Sequence, residues 1–300
     1  MTTIASIHDK FLRAILADKQ IAIDYFRACL PKNVADLLDF STLTQLPDTY
    51  ISKALRKTVS DIVYFCRAKV GRQELKISLL LEHKSKSEKF MPAQLGSYIY
   101  SGYLKQIAQD KTVSPIIPVL LYHGKERWFY RTLATLFKDL SEDLRPFIPN
   151  YDYIYHDLGE IPDEQIRALE NKFLQASLLA LKYSQLKKRL RSLIPAILSL
   201  AMETQQNLRT SLFVYTFGVS GLKEDGINGI LEDVPANIKH TVMNTLDIFV
   251  EKGKKIGLQE KTEKAIRNMI LEDLPVALIC RIQEVTPAYV ARIREELGEK

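Results

Sequence analysis

The chain has 300 residues, 46% of them apolar and 26% charged, with a net charge of +6 and a pI near 9.0. That balance excludes a largely disordered chain and allows one or two globular domains. The longest apolar runs, Ile116–Tyr122 and Leu193–Met202, are too short to cross a bilayer, and the second contains Pro195. The basic excess is mild and suits an anionic partner without naming one.

Cys29, Cys66 and Cys280 are odd in number and lack zinc-type spacing, so they read as free thiols in a reducing compartment. The opening MTTIASIHDKFLRAILADK has early charges and no apolar core of signal-peptide length. A cytoplasmic protein with no membrane partner is expected.

In chain order, the spacing of Phe11, Leu12, Ile15 and Leu16 predicts a helix from His8 to Asp18, with Asp9 in its first turn. Ile21, Ala22, Tyr25, Phe26 and Cys29 mark a second helix over Lys19–Leu30, stopped by Pro31. Lys32–Leu38 reads as a short helix. Thr42–Ile51 reads as irregular chain or an edge strand. Ser60–Ala68 and Gln73–His83 form a predicted hairpin. The unalternating Leu79-Leu80-Leu81 points to a central strand covered on both faces.

Pro92 opens a helix to about Gln109, with Leu95, Tyr98, Ile99, Gly102, Tyr103 and Ile107 on its apolar face. Ile116–His123 is a further buried strand, so strand, helix and strand allow a parallel crossover. Tyr151–Leu158 is a weaker strand. Beyond Pro162 the pattern is helical: Asp163–Leu190, then Ser192–Met202. A glycine-richer boundary follows at Ser220–Asp233, and then a charged helical tail. The domains expected are 1–220, an α/β core with a helical extension, and 235–300, a helical C-terminal region. Within the tail, 273–297 reads as helix, turn, helix, with Pro275 and Pro287 opening the helices and Thr286 as a cap. Val276, Ile279, Val290 and Ile293 are its expected internal contacts. Either a DNA-binding helix-turn-helix or a packing hairpin fits, and the mixed charge of its second helix favours the hairpin.

One constellation carries chemistry. Asp61 stands just before the first hairpin strand, and Glu82-His83-Lys84 closes the second. Glu82 and Lys84 are two apart and leave a strand on the same face. Two carboxylates and an ammonium at one sheet end suit a hard divalent cation, with the His83 backbone carbonyl as a third oxygen. Gln94 lies on the following helix, four residues before Tyr98 and adjacent to it on the surface. An E-x-K at a strand end is common, so spacing alone also fits an ordinary ion pair. His83 should point away from Glu82. His123 is a minor site candidate at a strand end. His8 reads as a helix start, although a first-helix acid beside it can reach such a site. His156 and His240 carry no signal.

The blocks HDKFLRAILADKQIAIDYFRACLP, SDIVYFCRA, LLLEHKS, MPAQLGSYI and IPVLLYHG occur in that order. They resemble the recombination-promoting nuclease family, also called the Rpn or YhgA-like transposase family. The resemblance covers the first half of the chain, and the helical second half looks like family members too. It implies a PD-(D/E)xK nuclease: a restriction-endonuclease-like mixed sheet flanked by helices, followed by a mostly helical C-terminal region. It also implies Mg²⁺-dependent DNA cleavage (with Mn²⁺ as a substitute) tied to recombination. Residue by residue, the metal-binding acid falls on Asp61, the E-x-K on Glu82 and Lys84, and the helix glutamine on Gln94. Ser60 agrees with the family's usual SD, and many members carry glutamine at the position of Lys84.

Three functional readings follow: a DNA endonuclease, a non-catalytic DNA-binding or assembly protein on the same fold, or an RNA nuclease. Duplex cleavage by one site per chain favours a homodimer.

Overall fold

The computed structural model describes residues 4–46, 62–68, 76–109 and 113–298. Two compact units divide the chain, Met1–Lys239 and His240–Lys300. No helix among the described residues is long and apolar enough to cross a membrane.

The first unit opens with helices α1 (Ile4–Leu16), α2 (Lys19–Cys29) and the short α3 (Lys32–Ala35). Asp18 caps α2, its carboxylate accepting from the backbone N–H groups of Gln20 and Ile21 at 2.9 and 3.1 Å. A sheet follows: β1 (Leu38–Gln45), β2 (Ile62–Ala68) and β3 (Lys76–Lys84), then helix α4 (Met91–Ala108), β4 (Ile116–Tyr122) and β5 (Ile154–Asp157). Strand order is sequential. β1, β2 and β3 are antiparallel; β3, β4 and β5 are parallel. The fold is therefore α/β as expected, a mixed sheet flanked by helices, and a helical C-terminal region follows. β3 is the middle strand, and Leu79, Leu80 and Leu81 are all buried, as a two-sided apolar run requires.

Period-two alternation sorts the sheet's side chains between two layers. Val63, Leu80, Leu120 and Tyr122 pack against Met91, Leu95, Tyr98 and Ile99 of α4. On the opposite side, the Tyr64 hydroxyl donates to the Leu16 carbonyl at 2.5 Å and its ring meets Phe26 edge-on. Helices α5 (Asp163–Arg167), α6 (Lys172–Lys182), α7 (Lys187–Leu200), α8 (Gln206–Ser220) and α9 (Glu224–Glu232) complete the unit.

Several expectations need correction. α1 begins at Ile4 rather than His8, so Asp9 sits inside the helix and pairs with Arg13 at 3.1 Å instead of facing the helix dipole. The earlier start is a packing effect: Ile7 lies against Gly218 of α8, where a Cβ would come within 2.8 Å of its side chain. The helix after Pro31 stops at Ala35, and extended chain already begins at Leu38, because Leu38, Phe40 and Leu43 bury as strand residues. Residues 47–51 of the expected edge segment lie outside the described residues. The helical stretch Asp163–Leu190 is broken, and Asn171 restarts the chain by capping α6, accepting from the Leu174 N–H at 3.0 Å. Ile107, expected in the core face of α4, is 56% exposed. Gln106 takes the buried position instead, accepting from the Ser114 N–H at 2.7 Å.

The second unit comprises most of α10 (Ala236–Leu271), with α11 (Val276–Gln283) and α12 (Pro287–Gly298). Ile266, Ile279, Val290 and Ile293 form its core, with Val276 partly buried against them. Glu284, at φ +54°, supplies the left-handed turn residue between α11 and α12 where glycine is usual. Thr286 caps α12, receiving the Tyr289 N–H at 3.4 Å.

Candidate active site at the end of the central strand

The last three residues of β3 divide between the two faces of the sheet. Glu82 and Lys84 face the α4 side, and His83 faces the other. Glu82 is only 1% exposed. Its Oε1 lies 2.9 Å from the Lys84 Nζ, which also reaches Glu88 Oε1 at 3.1 Å. Glu82 Oε2 is buried with no hydrogen-bond partner among the described residues. Burial pushes the Glu82 carboxyl up to about 7, against the opposing pull of Lys84, while the charges of Glu88 and Asp9 raise it further. Burial alone would lower the Lys84 pKa. Glu82 and Glu88 outweigh it, so the shift is upward and the ammonium stays charged.

α4 brings the next pair. Gln94 Nε2 donates to the Tyr98 hydroxyl. Tyr98 is buried, which raises its pKa, and the Glu82 charge adds to that rise. Gln94, Tyr98, Glu82 and Lys84 therefore belong to one neighbourhood. The Lys84 carbonyl accepts from the His123 N–H at 3.0 Å, on the β4 side. Carbonyls alternate along a strand, so that of His83 points toward the β2 edge. The β2–β3 register brings Ile62 opposite Leu81, the neighbour of Glu82. Asp61, one residue before Ile62, lies outside the described residues. Among those residues, no group of three or more His, Cys, Asp or Glu side chains is arranged to hold a metal ion.

The loops after β3 and β4 meet beside this group, where the Ser87 hydroxyl donates to Glu126 at 3.4 Å. Lys86, Lys89, Lys125 and Arg127 are exposed on these two loops.

The opposite face holds a separate cluster that the sequence did not reveal. His8 and His123 are each 1% exposed, with ring centroids 4.7 Å apart, and His83 stacks on His123 at 6.0 Å. His8 Nδ1 is 2.8 Å from the Tyr215 hydroxyl, and His123 Nδ1 is 3.5 Å from Ser184 Oγ. Burial lowers the His8 pKa to about 4 and that of His83 to about 3, and carries His123 well below its ordinary value. His123 thus belongs to a neutral cluster across the sheet from Glu82. His156, which carried no signal, lies 3.2 Å from the Tyr25 hydroxyl through Nδ1. Tyr215 and His8 are 207 residues apart, beyond any local periodicity.

A family model described as "Putative transposase, YhgA-like" matches residues 6–211. The chain belongs to this family. The matched stretch contains all five strands, α4 and the Glu82 neighbourhood. Two curated relatives align over nearly the whole chain and a third over about half of it. The recombination-promoting nuclease RpnA of Escherichia coli K12 is 26% identical over 292 residues, 95% of this chain and 96% of its own length. A protein of the same strain named as an inactive recombination-promoting nuclease-like protein, RpnE, is 26% identical over 275 residues, 89% of both. The recombination-promoting nuclease RpnD of Escherichia coli O157:H7 is 25% identical over 166 residues, 55% of this chain and 63% of its own. No solved structure matches the chain. This YhgA-like chain is therefore a member of a nuclease-like or transposase-like family that includes a relative named as inactive.

Proposed function

We propose that this chain is a divalent-metal-dependent DNA endonuclease that promotes recombination, hydrolysing phosphodiester bonds with Asp61, Glu82, Lys84 and Gln94. The observation that carries the reading is Glu82: a carboxylate 1% exposed, at the end of the central strand, with one oxygen on Lys84 and the other unpartnered among the described residues. A buried charge without a full set of partners is costly unless function maintains it. An unpartnered carboxylate oxygen suits a hard cation such as Mg²⁺ or Mn²⁺. Asp61, Glu82 and the His83 carbonyl would hold it, and when bound it would supply Lewis acidity at the phosphate.

The chain's own groups do the rest. Lys84 places a fixed positive charge beside Glu82 for the phosphate. Gln94, held through its amide nitrogen by Tyr98, offers its amide oxygen to the attacking water. Lys86, Lys89, Lys125 and Arg127 provide a rim for the nucleic-acid backbone. DNA is the proposed substrate because RpnA and RpnD are named as nucleases that promote recombination, a rearrangement of DNA.

A second reading has specific support. RpnE, similar to this chain at the same identity as RpnA, is named as inactive. A non-catalytic DNA-binding or assembly protein would keep the same fold and basic rim. One experiment separates the readings: duplex DNA, single strands and RNA incubated with Mg²⁺, Mn²⁺, Ca²⁺ or EDTA. The nuclease reading expects Mg²⁺-dependent breaks in DNA that Asp61→Ala and Glu82→Gln abolish. Breaks that survive either change sink the site assignment, and salt-sensitive binding without breaks under any metal establishes the second reading.

A further inference from the structure

The two loops that meet beside the Glu82 group each present a phenyl ring to water. Phe90 ends the loop after β3 and is 64% exposed, and Phe129 lies on the loop after β4 and is 57% exposed. The Ser87–Glu126 contact ties the two loops together. Each ring carries a cation. The Lys89 Nζ lies 5.3 Å from the Phe90 centroid, and the Arg127 guanidinium carbon lies 4.8 Å from that of Phe129. One exposed phenylalanine is ordinary. Two on joined loops, each beside a positive charge and both flanking a buried carboxylate, form a pattern.

The local structure holds both rings outward. Trp128 is buried on the α4 side, edge-on to Tyr122 at 5.0 Å, and its carbonyl accepts from the Tyr155 hydroxyl at 2.7 Å. The Glu126 carbonyl accepts from the Tyr122 hydroxyl at 2.6 Å. These anchors fix the chain leading into Phe129, and the core takes Trp128 and leaves Phe129 outside. Phe90 caps α4: its carbonyl accepts from the Gln94 N–H at 3.1 Å, while Met91 beside it is fully buried. Glu88, the partner of Lys84, is two residues before Phe90. Both rings are thus set on anchored backbone near the Glu82 group.

A flat base stacks on a phenyl ring, and a neighbouring cation takes the phosphate of the same strand. Inside an intact duplex each base already has its faces on its neighbours, so an exposed phenyl ring gains nothing there. An unpaired base has a face to offer. We propose that Phe90 and Phe129 are stacking platforms for unpaired bases, so that the Glu82 site takes single-stranded or locally opened DNA in preference to intact duplex. The proposal rests on the nuclease reading of that site and names the form of its substrate. Every base has an aromatic face, so the preference is for structure and not for sequence.

The test is fluorescence anisotropy of the full chain in EDTA, where no cleavage interferes. Three probes of one length serve: an intact duplex, the same duplex with a central run of adenine–adenine mismatches, and that run with its bases removed as abasic sites. The mismatched probe should bind about 30-fold tighter than the duplex, the lower end of what two stacked bases supply, and the abasic probe should lose that advantage. Phe90→Ala and Phe129→Ala should each cut the preference about fivefold or more, with circular dichroism showing both variants folded. Phe129→Trp should keep the preference, and Phe129→Leu, apolar but not flat, should lose it. Equal binding of duplex and mismatched probe overturns the proposal, as does an abasic probe bound as tightly as the mismatched one or a Phe129→Leu chain that keeps the preference. Mg²⁺-dependent breaks without any preference for opened DNA would sink this proposal alone. Failure to bind any of the probes would sink the nuclease reading with it.

Discussion

The two faces of the sheet at the end of β3 hold buried polar groups of opposite kinds. On the α4 side, Glu82 and Lys84 form an ion pair that Glu88 extends. On the other side, His8, His83 and His123 form a cluster whose ionisation burial suppresses. One strand serves both because successive side chains alternate. A buried charge is tolerable where an opposite charge stays with it, and buried imidazoles are tolerable where they remain uncharged. The first arrangement retains electrostatic strength for chemistry. The second joins α1, β3, β4 and α8 through ring contacts and the Tyr215 hydroxyl.

The largest effect that would break this contrast is catalytic. Glu82→Gln keeps the shape of the side chain and removes the charge. It should lower the proposed cleavage at least roughly 100-fold, the scale lost with one preorganised electrostatic group. Urea unfolding should show the variant still folded. A variant that cleaves normally would place Glu82 with the structural groups of the other face.

The next effect is opposite pH behaviour of the two faces. His8 is depressed from 6.5 to about 4, so between those values the unfolded chain binds a proton that the folded chain excludes. Stability therefore falls as pH drops through that window, by roughly 3 kcal/mol over its width. Glu82 is raised from 4.5 to about 7, so the folded chain holds the extra proton and stability falls as pH rises through that window. Thermal unfolding from pH 4.5 to 6.5 should therefore rise more steeply with pH in Glu82→Gln and less steeply in His8→Asn. Parallel curves for both variants would show that neither face titrates with folding.

Smaller effects sharpen the comparison. Lys84→Met leaves Glu82 buried without its cation and should cost about 2–3 kcal/mol at pH 8 by urea unfolding. The loss should shrink at pH 5, where Glu82 carries a proton. A loss of equal size at both pH values would mark Lys84 as a packing residue. Tyr215→Phe removes the partner of His8 Nδ1 and should cost about 1–2 kcal/mol of stability while leaving any cleavage unchanged. A change in cleavage with no change in stability would join the histidine cluster to the active side.

The sequence made β3 legible because Leu79, Leu80 and Leu81 run apolar on both faces up to Glu82. The same alternation rule separated Glu82 and Lys84 from His83. The helical four-residue spacing marked Gln94 and Tyr98 as neighbours, and they are hydrogen-bonded. Other features were not legible. The start of β1 at Leu38 was hidden because its short apolar pattern also fits a helix end. Glu88 joins Lys84 from a loop that carries no periodicity. Ile107 looked like a core residue by helical spacing, yet the sheet takes Gln106 and leaves Ile107 outside.

Local periodicity by itself thus determined the element types, the central strand and which side chains share a face. These depend on neighbours within a few residues, and backbone geometry fixes them. Only the tertiary structure decided that Glu82 is buried with one oxygen unpartnered among the described residues, that His8 meets Tyr215, and that α4 leaves Ile107 exposed while burying Gln106. Each of these is set by what packs against a face from far along the chain, and no spacing rule carries that information.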